Sequence, residues 1–502
     1  MKHLRGILSC FLSVFLLMTP ICASLSASAA APENSNSNTL AVIDPTDADK
    51  ALYELSYQSL KNRVQENGYA PTSLTGAYEG MYVRDAAAQV MAMTVNGDLE
   101  DAQKILDYIF TYHETAPADY ALCILPSVED FSAEKIAKPI SSRIQSDTAY
   151  LLLHALVKWY NACTDTTKRD VFWQRHWTTV QTFANYFLQP KYYNEEKKLI
   201  RNPNFQHITS YINCYDLYTN VFASQALHEL AELAKEKGET EIAATWNGYA
   251  NAIKDGIHTN LARQYEGKMI YMELLYANPE GRSTGFSFVN LSPLAAEWFG
   301  TDRTIMINTY EKYLEDASKE YDGCLLLDSR HIYDSERWSD RLLGKQLGWE
   351  VLYCTQYTDS TRMRMLLDFA ISHTEQGQPY AEAWRFDGKK DDYGNQEQTA
   401  WIIYCLATVM PQLRISNQTE VSSTPSVTQP SSAVSKPVTS NPATNLRYEN
   451  HNQILFIFCI LAGLLVVSIA LLSVLRIREY RKSTHRKKLL TKQAVEEDPL
   501  DL

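Results

Sequence analysis

Several chemistries are missing from these 502 residues. There is no C-x-x-C pair, so a zinc ribbon or a dithiol redox site is not expected. There is no H-E-x-x-H, no glycine-rich phosphate loop and no G-x-S-x-G, which removes the usual signatures of zinc peptidases, nucleotide-binding enzymes and serine hydrolases. The segment "DGKKDD" has its glycine and acidic residues in the wrong places for an EF-hand. Positive charge is also scarce: the formal net charge of −12 argues against nucleic acid as a partner. No cofactor and no metal site are expected from these patterns.

What is present begins with the ends. Lys2, His3 and Arg5 precede an apolar run from Ile7 to Cys22 and then small residues, "ASLSASAAAP". This reads as a secretory signal over 1–29, cleaved near Ala29. Ile454 to Leu475 is a run of 22 residues without a charge, long enough to span a bilayer. Arginines and lysines crowd 476–502 and place that tail in the cytoplasm. The stretch 416–453 is rich in Ser, Thr and Pro and reads as an extended linker. The expectation is a single-pass cell-membrane protein with its N-terminal domain, 40–413, outside the cell. That domain holds six cysteines, Cys123, Cys163, Cys214, Cys324, Cys354 and Cys405, whose pairing the sequence does not specify.

Apolar spacing predicts twelve amphipathic helices, at about 47–66, 85–96, 98–114, 146–164, 167–189, 216–238, 240–261, 288–298, 302–316, 338–359, 360–375 and 395–410. The connections alternate. Six are long (67–84, 115–145, 190–215, 262–287, 317–337, 376–394) and those between them are short, as in "NGD" and "KGET". Short links make antiparallel hairpins. Alternation puts every long loop at one end of an all-α toroid of six hairpins, an (α/α)6 barrel, and loops so placed are where binding and catalysis gather.

The long loops carry carboxylates, arginines and aromatic residues. Loop one ends in "GAYEGMYVRDAAAQV", with Tyr82, Arg84 and Asp85 at a helix start. Loop two leads into "RIQSDTAYLLLHAL", with Arg143 and Asp147. Loop three ends at Asp216 in "NCYDLYTN", where a helix-capping role competes with a catalytic one. Loop four holds Glu273, and loop five holds Asp328, Asp334, Glu336 and Trp338. Loop six, "YAEAWRFDG", holds Glu382 and Trp384, with "DGKKDD" read as a solvated turn. Aromatic faces and charged groups together suit a hydroxyl-rich ligand, and a pair of carboxylates can cleave a glycosidic bond.

These segments resemble the six-hairpin glycosidases. "MYVRDAAAQV" is similar to the aromatic-x-R-D segment of the glucoamylase family and to the W-L-R-D-S-x-x-Q-V segment of bacterial exo-α-mannosidases. The resemblance implies that Arg84 and Asp85 line the subsite of the terminal sugar. "RIQSDTAYLLLHAL" resembles the glucoamylase R-P-Q-x-D-G-P-A-L-R segment, which assigns sugar binding to Arg143 and Asp147. "YAEAWRFDG" resembles S-E-Q-F-D, which makes Glu382 the general base. Where glucoamylases have D-L-W-E-E this chain has "DLYTN", with Thr219 at the acid position. The mannosidase likeness implies an aspartate just before this helix, and Asp216 is the carboxylate nearest that place, with Glu273 and Glu336 as alternatives. The implied activity is an exo-acting, inverting α-glycosidase on an oligosaccharide. The alternatives are a glycan-binding protein on a degenerate barrel, or a phosphorylase or polysaccharide lyase on the same barrel.

Overall fold

The computed structural model describes residues 43–415, apart from 117–122, 133–134, 142, 208–209, 278–279, 283–284 and 332–339. The expected signal (1–29), linker (416–453), membrane helix (454–475) and tail (476–502) all lie outside the described residues. Among the described residues no helix is long and apolar enough to cross a membrane.

Among the described residues twelve α-helices follow the predicted order: α1 Asp47–Lys61, α2 Val83–Val95, α3 Leu99–Thr115, α4 Ser146–Ala162, α5 Thr166–Tyr186, α6 Leu217–Glu236, α7 Thr240–Gly256, α8 Ser292–Ala295, α9 Arg303–Ala317, α10 Gly344–Tyr357, α11 Ser360–His373 and α12 Gln396–Val409. Two depart from expectation. The eighth is a 3-10 turn, Phe288–Leu291, running into one α turn, and it stops before Glu297, whose φ of 49° is left-handed. The tenth starts at Gly344, because Arg341–Leu343 is drawn into a strand pair with Ala383–Arg385.

The even-numbered helices form the inner ring. α2 packs on α4, α4 on α6, α6 on α8, α8 on α10, α10 on α12, and α12 returns to α2. Their sequences explain the choice. α2 is buried continuously from Asp85 to Met93, and α12 from Gln396 to Ala407. An outer helix such as α11 buries one face only, through Met363, Leu366, Leu367, Phe369 and Ala370. A helix with apolar or small residues on every side needs neighbours on every side. Gly344 and Gly348 let α10 approach α12: a Cβ on Gly344 would stand 2.9 Å from Gln398 Cβ, and one on Gly348 3.1 Å from the Trp401 carbonyl.

The ring closes where the two ends of the fold meet. Arg364 of α11 grips Asp49 of α1 with two hydrogen bonds of 2.7 and 2.9 Å. Asp49 also completes a capping box with Thr46. Gln396 of α12 donates to Gln89 of α2 at 2.6 Å. Aromatic side chains from facing inner helices fill the middle of the ring: Trp349 lies 5.9 Å from Tyr218 and 5.2 Å from Trp401, and Phe222 lies 6.1 Å from Trp401. Trp349, Trp401, Tyr218 and Phe222 are all buried there.

Short ladders tie neighbouring long loops together at the N-terminal ends of the inner helices. Met81–Tyr82 pairs with Ile124–Leu125, Ser210–Asp216 with Leu274–Ala277, and Arg341–Leu343 with Ala383–Arg385. The six cysteines are unpaired, five of them buried.

Candidate active site

A cavity of about 440 Å³ opens at the long-loop end. Loop one supplies Ala77, Tyr78 and Tyr82; Arg84 and Asp85 come from the start of α2, Phe288 from the turn before α8, Arg341 and Leu343 from the strand before α10, Lys345 from α10, and the others from loop six and the start of α12. A cavity of this size holds one or two sugar rings.

Three inner helices aim their first turns at its floor: Arg84 and Asp85 from α2, Lys345 from α10, Glu397 and Gln398 from α12. Glu397 is well placed at a helix N-terminus, whereas Lys345 opposes the dipole and needs a partner. Lys345 Nζ donates to Glu397 Oε1 at 3.0 Å and stands 4.1 Å from the centre of the Phe288 ring. Arg84 bridges two carboxylates: its Nη1 is 3.1 Å from Asp147 Oδ2, and its Nε is 3.4 Å from Glu397 Oε1. Burial opposes ionisation of Glu397, but Lys345 and Arg84 outweigh it and hold its carboxyl below the ordinary range. Asp85 goes the other way. Burial first, then the charge of Glu397, push its pKa well up against the pull of Arg84 and Lys345. The surroundings thus favour the ionised form of Glu397 and the protonated form of Asp85.

Glu382 stands on the cavity wall. Its backbone is pinned on both sides, with Gly344 N–H donating to its carbonyl at 2.9 Å and its own N–H donating to the Asp392 carbonyl at 2.8 Å. Tyr78 Oη donates to Glu382 Oε1 at 2.6 Å. Burial pushes the Glu382 pKa up to about 7, and the Asp391 and Asp392 charges add to this against the Tyr78 hydrogen bond. Asp391 is itself held by Arg341 at 2.6 Å.

The structure sorts the other sequence candidates. Tyr82 lines the cavity, its ring edge-on to Tyr78 at 5.9 Å. Asp147 is fully buried behind Arg84 and does not line the cavity, so it supports the arginine and is not placed to touch a ligand. Arg143 is exposed and also off the cavity. Trp384 is corrected: it is fully buried and packs on Phe369 and Tyr380. Pleating explains this, because Arg341, Leu343 and Arg385 face the cavity, so Leu342 and Trp384, paired across the ladder, face the core. Trp338, with Asp334 and Glu336, lies outside the described residues.

Asp216 is also placed differently from the expectation. It is fully buried, caps α6 by accepting from Thr219 N–H at 2.5 Å, and does not line the cavity that Glu382 lines. Burial pushes its pKa up to about 8, with Asp147 adding to the rise. Thr219 and Asn220 are equally committed to the scaffold: Thr219 Oγ1 accepts from Asn202 at 3.1 Å, and Asn220 clasps the Ile200 backbone at 2.7 and 3.0 Å. Glu273, the first alternative, is fully buried and off the cavity.

Sequence reasoning missed Tyr78, Arg341, Lys345 and Glu397. Asp391 and Asp392, read as part of a solvated turn, line the cavity. Glu397, two residues after the cap Asn395, and Lys345, one after Gly344, were marked only by standing at inner-helix starts.

No protein-family profile matches the chain, and no curated protein matches it in sequence. Solved structures do match in shape. A glycosidase superposes with a TM-score of 0.53 at 12% identity, covering 72% of this chain and 97% of that one. A bacterial glucoamylase complexed with acarbose gives 0.54 at 16%, covering 73% of this chain and 57% of that one. A mannosylglycerate hydrolase from Thermus thermophilus, in complex with glucose, gives 0.53 at 14%, covering 70% and 99%. The fold is that of the six-hairpin glycosidases. In this six-hairpin barrel the cavity occupies the N-terminal end of the inner ring, and its floor is the first turns of α2, α10 and α12.

Proposed function

We propose that this protein is an exo-acting, inverting glycoside hydrolase that removes a terminal glucose- or mannose-type sugar from an oligosaccharide. The observation that carries the reading is Glu382: a carboxylate poised near neutrality, oriented by Tyr78, on the wall of a sugar-sized cavity.

In this mechanism Glu382 removes a proton from water as the water attacks the anomeric carbon. Inversion asks for the second carboxyl at about 6.5–9.5 Å from the first, so that the water fits between them. That second group protonates the leaving oxygen. Asp216 has no access to the cavity. Asp85 lines the cavity, and its surroundings favour the protonated form, so we assign it the acid role.

The test is hydrolysis of aryl α-glycosides. Glu382→Gln abolishes turnover of every substrate. Asp85→Asn loses activity on glycosides with poor leaving groups and retains it on 2,4-dinitrophenyl glycosides, which need no proton. Equal loss on both classes would return Asp85 to pure sugar binding.

A second reading, a non-catalytic glycan receptor, is favoured by Thr219 at the position the glucoamylase resemblance gives to the acid. It requires sugar binding unchanged by Glu382→Gln and no hydrolysis. Under either reading the protein would stand on the cell surface, anchored through 454–475; protease shaving of intact cells, releasing the domain, checks this.

A further inference from the structure

A line of buried polar groups leads away from the cavity floor. Arg84 meets Asp147 Oδ2 at 3.1 Å. The other oxygen, Asp147 Oδ1, accepts from Asn202 Nδ2 at 2.7 Å, and the same amide nitrogen reaches Thr219 Oγ1 at 3.1 Å. Asn202 Oδ1 in turn accepts from the backbone N–H of Ser146 and of Asn204, each at 3.3 Å. Asn202 is fully buried and off the cavity, and its amide is occupied on both sides. It stands where the register of its strand slips, between Asn202 and Phe205 opposite Cys214 and Ile212. Such irregularities re-aim a side chain. Here the side chain is aimed at the back of the carboxylate that holds Arg84.

We infer that Asn202 is a positioning residue, which fixes Asp147 and through it sets the guanidinium of Arg84 at the floor of the sugar cavity. The inference rests on the reading that a sugar binds there. The physical argument is one of orientation. A carboxylate held at one oxygen can turn about its Cβ–Cγ bond; held at both, it presents its second oxygen to Arg84 at a fixed angle. Removing the amide leaves a buried carboxylate oxygen without its donor, and the carboxylate then turns toward whatever donor remains. An arginine hydrogen-bonding sugar hydroxyls depends on that angle, so the loss appears mainly in binding.

The experiment uses the full-length protein and has two arms. The first is crystal structures of the parent and Asn202→Ala proteins without sugar. The expected result is an Arg84 guanidinium displaced from its 3.1 Å contact with Asp147; an unmoved Arg84 overturns the inference, whether or not the protein is a hydrolase. The second is KM and kcat for the aryl α-glycoside turned over fastest, in parent, Asn202→Ala, Arg84→Gln and the double variant, with Glu382→Gln as the control for the hydrolase reading. Asn202→Ala raises KM about tenfold or more with a smaller change in kcat, and adds nothing once Arg84 is gone. Equal fold-changes in both backgrounds, the mark of independent sites, overturn it. Asn202→Asp adds a readout that a folding defect does not mimic. Its KM is near the parent at low pH, where the new carboxyl can donate to Asp147, and rises as that proton is lost; a KM offset constant with pH counts against the role.

Discussion

Removing the hydroxyl of Tyr78 tests the site most directly. Tyr78 donates to Glu382 at 2.6 Å, and that bond favours the ionised carboxylate. A hydrogen bond to a charged group is worth about 1.5–3 kcal/mol, and about 1.4 kcal/mol corresponds to one pH unit. Tyr78→Phe therefore raises the Glu382 pKa, from about 7, by about one unit or more. A general base works only when ionised, so activity is lost as pH falls through this pKa. Raising the pKa moves the acidic limb of kcat/KM to higher pH, and at pH 7 the rate drops about fivefold or more. Phenylalanine keeps the ring that meets Tyr82 edge-on at 5.9 Å, so the change isolates the hydroxyl. The measurement is kcat/KM against pH for the parent and the variant on one aryl α-glycoside. An acidic limb that stays in place, or moves to lower pH, refutes the assignment of Glu382 as the base.

Asp391→Asn moves the same limb to lower pH, because it removes a negative charge that raises Glu382 and leaves Arg341 uncompensated beside it. Asp216→Asn keeps the helix cap, since asparagine caps as well as aspartate, and leaves turnover largely intact. The folded Asp216 pKa lies above its unfolded value, so the folded state binds the extra proton and the parent loses stability as pH rises from about 4 to about 8, at up to about 1.4 kcal/mol per pH unit. The asparagine variant flattens that decline in melts across this range. Arg364→Ala strips Asp49 of its two-pronged partner and lowers stability by about 2–3 kcal/mol in urea, with kcat/KM unchanged. Trp384→Ala costs about 3–5 kcal/mol of stability by opening a core cavity, whereas Trp384→Phe leaves substrate affinity as it was.

The helical plan was legible because it is written locally. Apolar spacing marks a helix, and loop lengths mark which helices turn back at once. Eleven long helices and the alternation of their connections followed from these alone. The eighth helix was overestimated because apolar residues recur at helical spacing from Phe288 to Trp298, and period alone does not separate a 3-10 turn plus one α turn from a full helix. Arg84, Asp85 and Glu382, which line the cavity, sit in short segments with a recognisable pattern.

The sequence by itself determined the element order, the end of the barrel where the long loops gather, and Glu382 as a loop carboxylate among aromatic residues. Only the tertiary structure decided which side chains share a cavity. Trp384 turned inward because pleating alternates on a strand pair whose register is set by a partner some forty residues away. Asp216 became a buried cap because its strand and helix meet inside the ring. Lys345 and Glu397 entered the site because three helices, far apart in sequence, begin at the same point in space. Helix formation is decided within a few turns of chain, whereas burial, pairing of charges and the resulting proton affinities depend on long-range neighbours that no local pattern specifies.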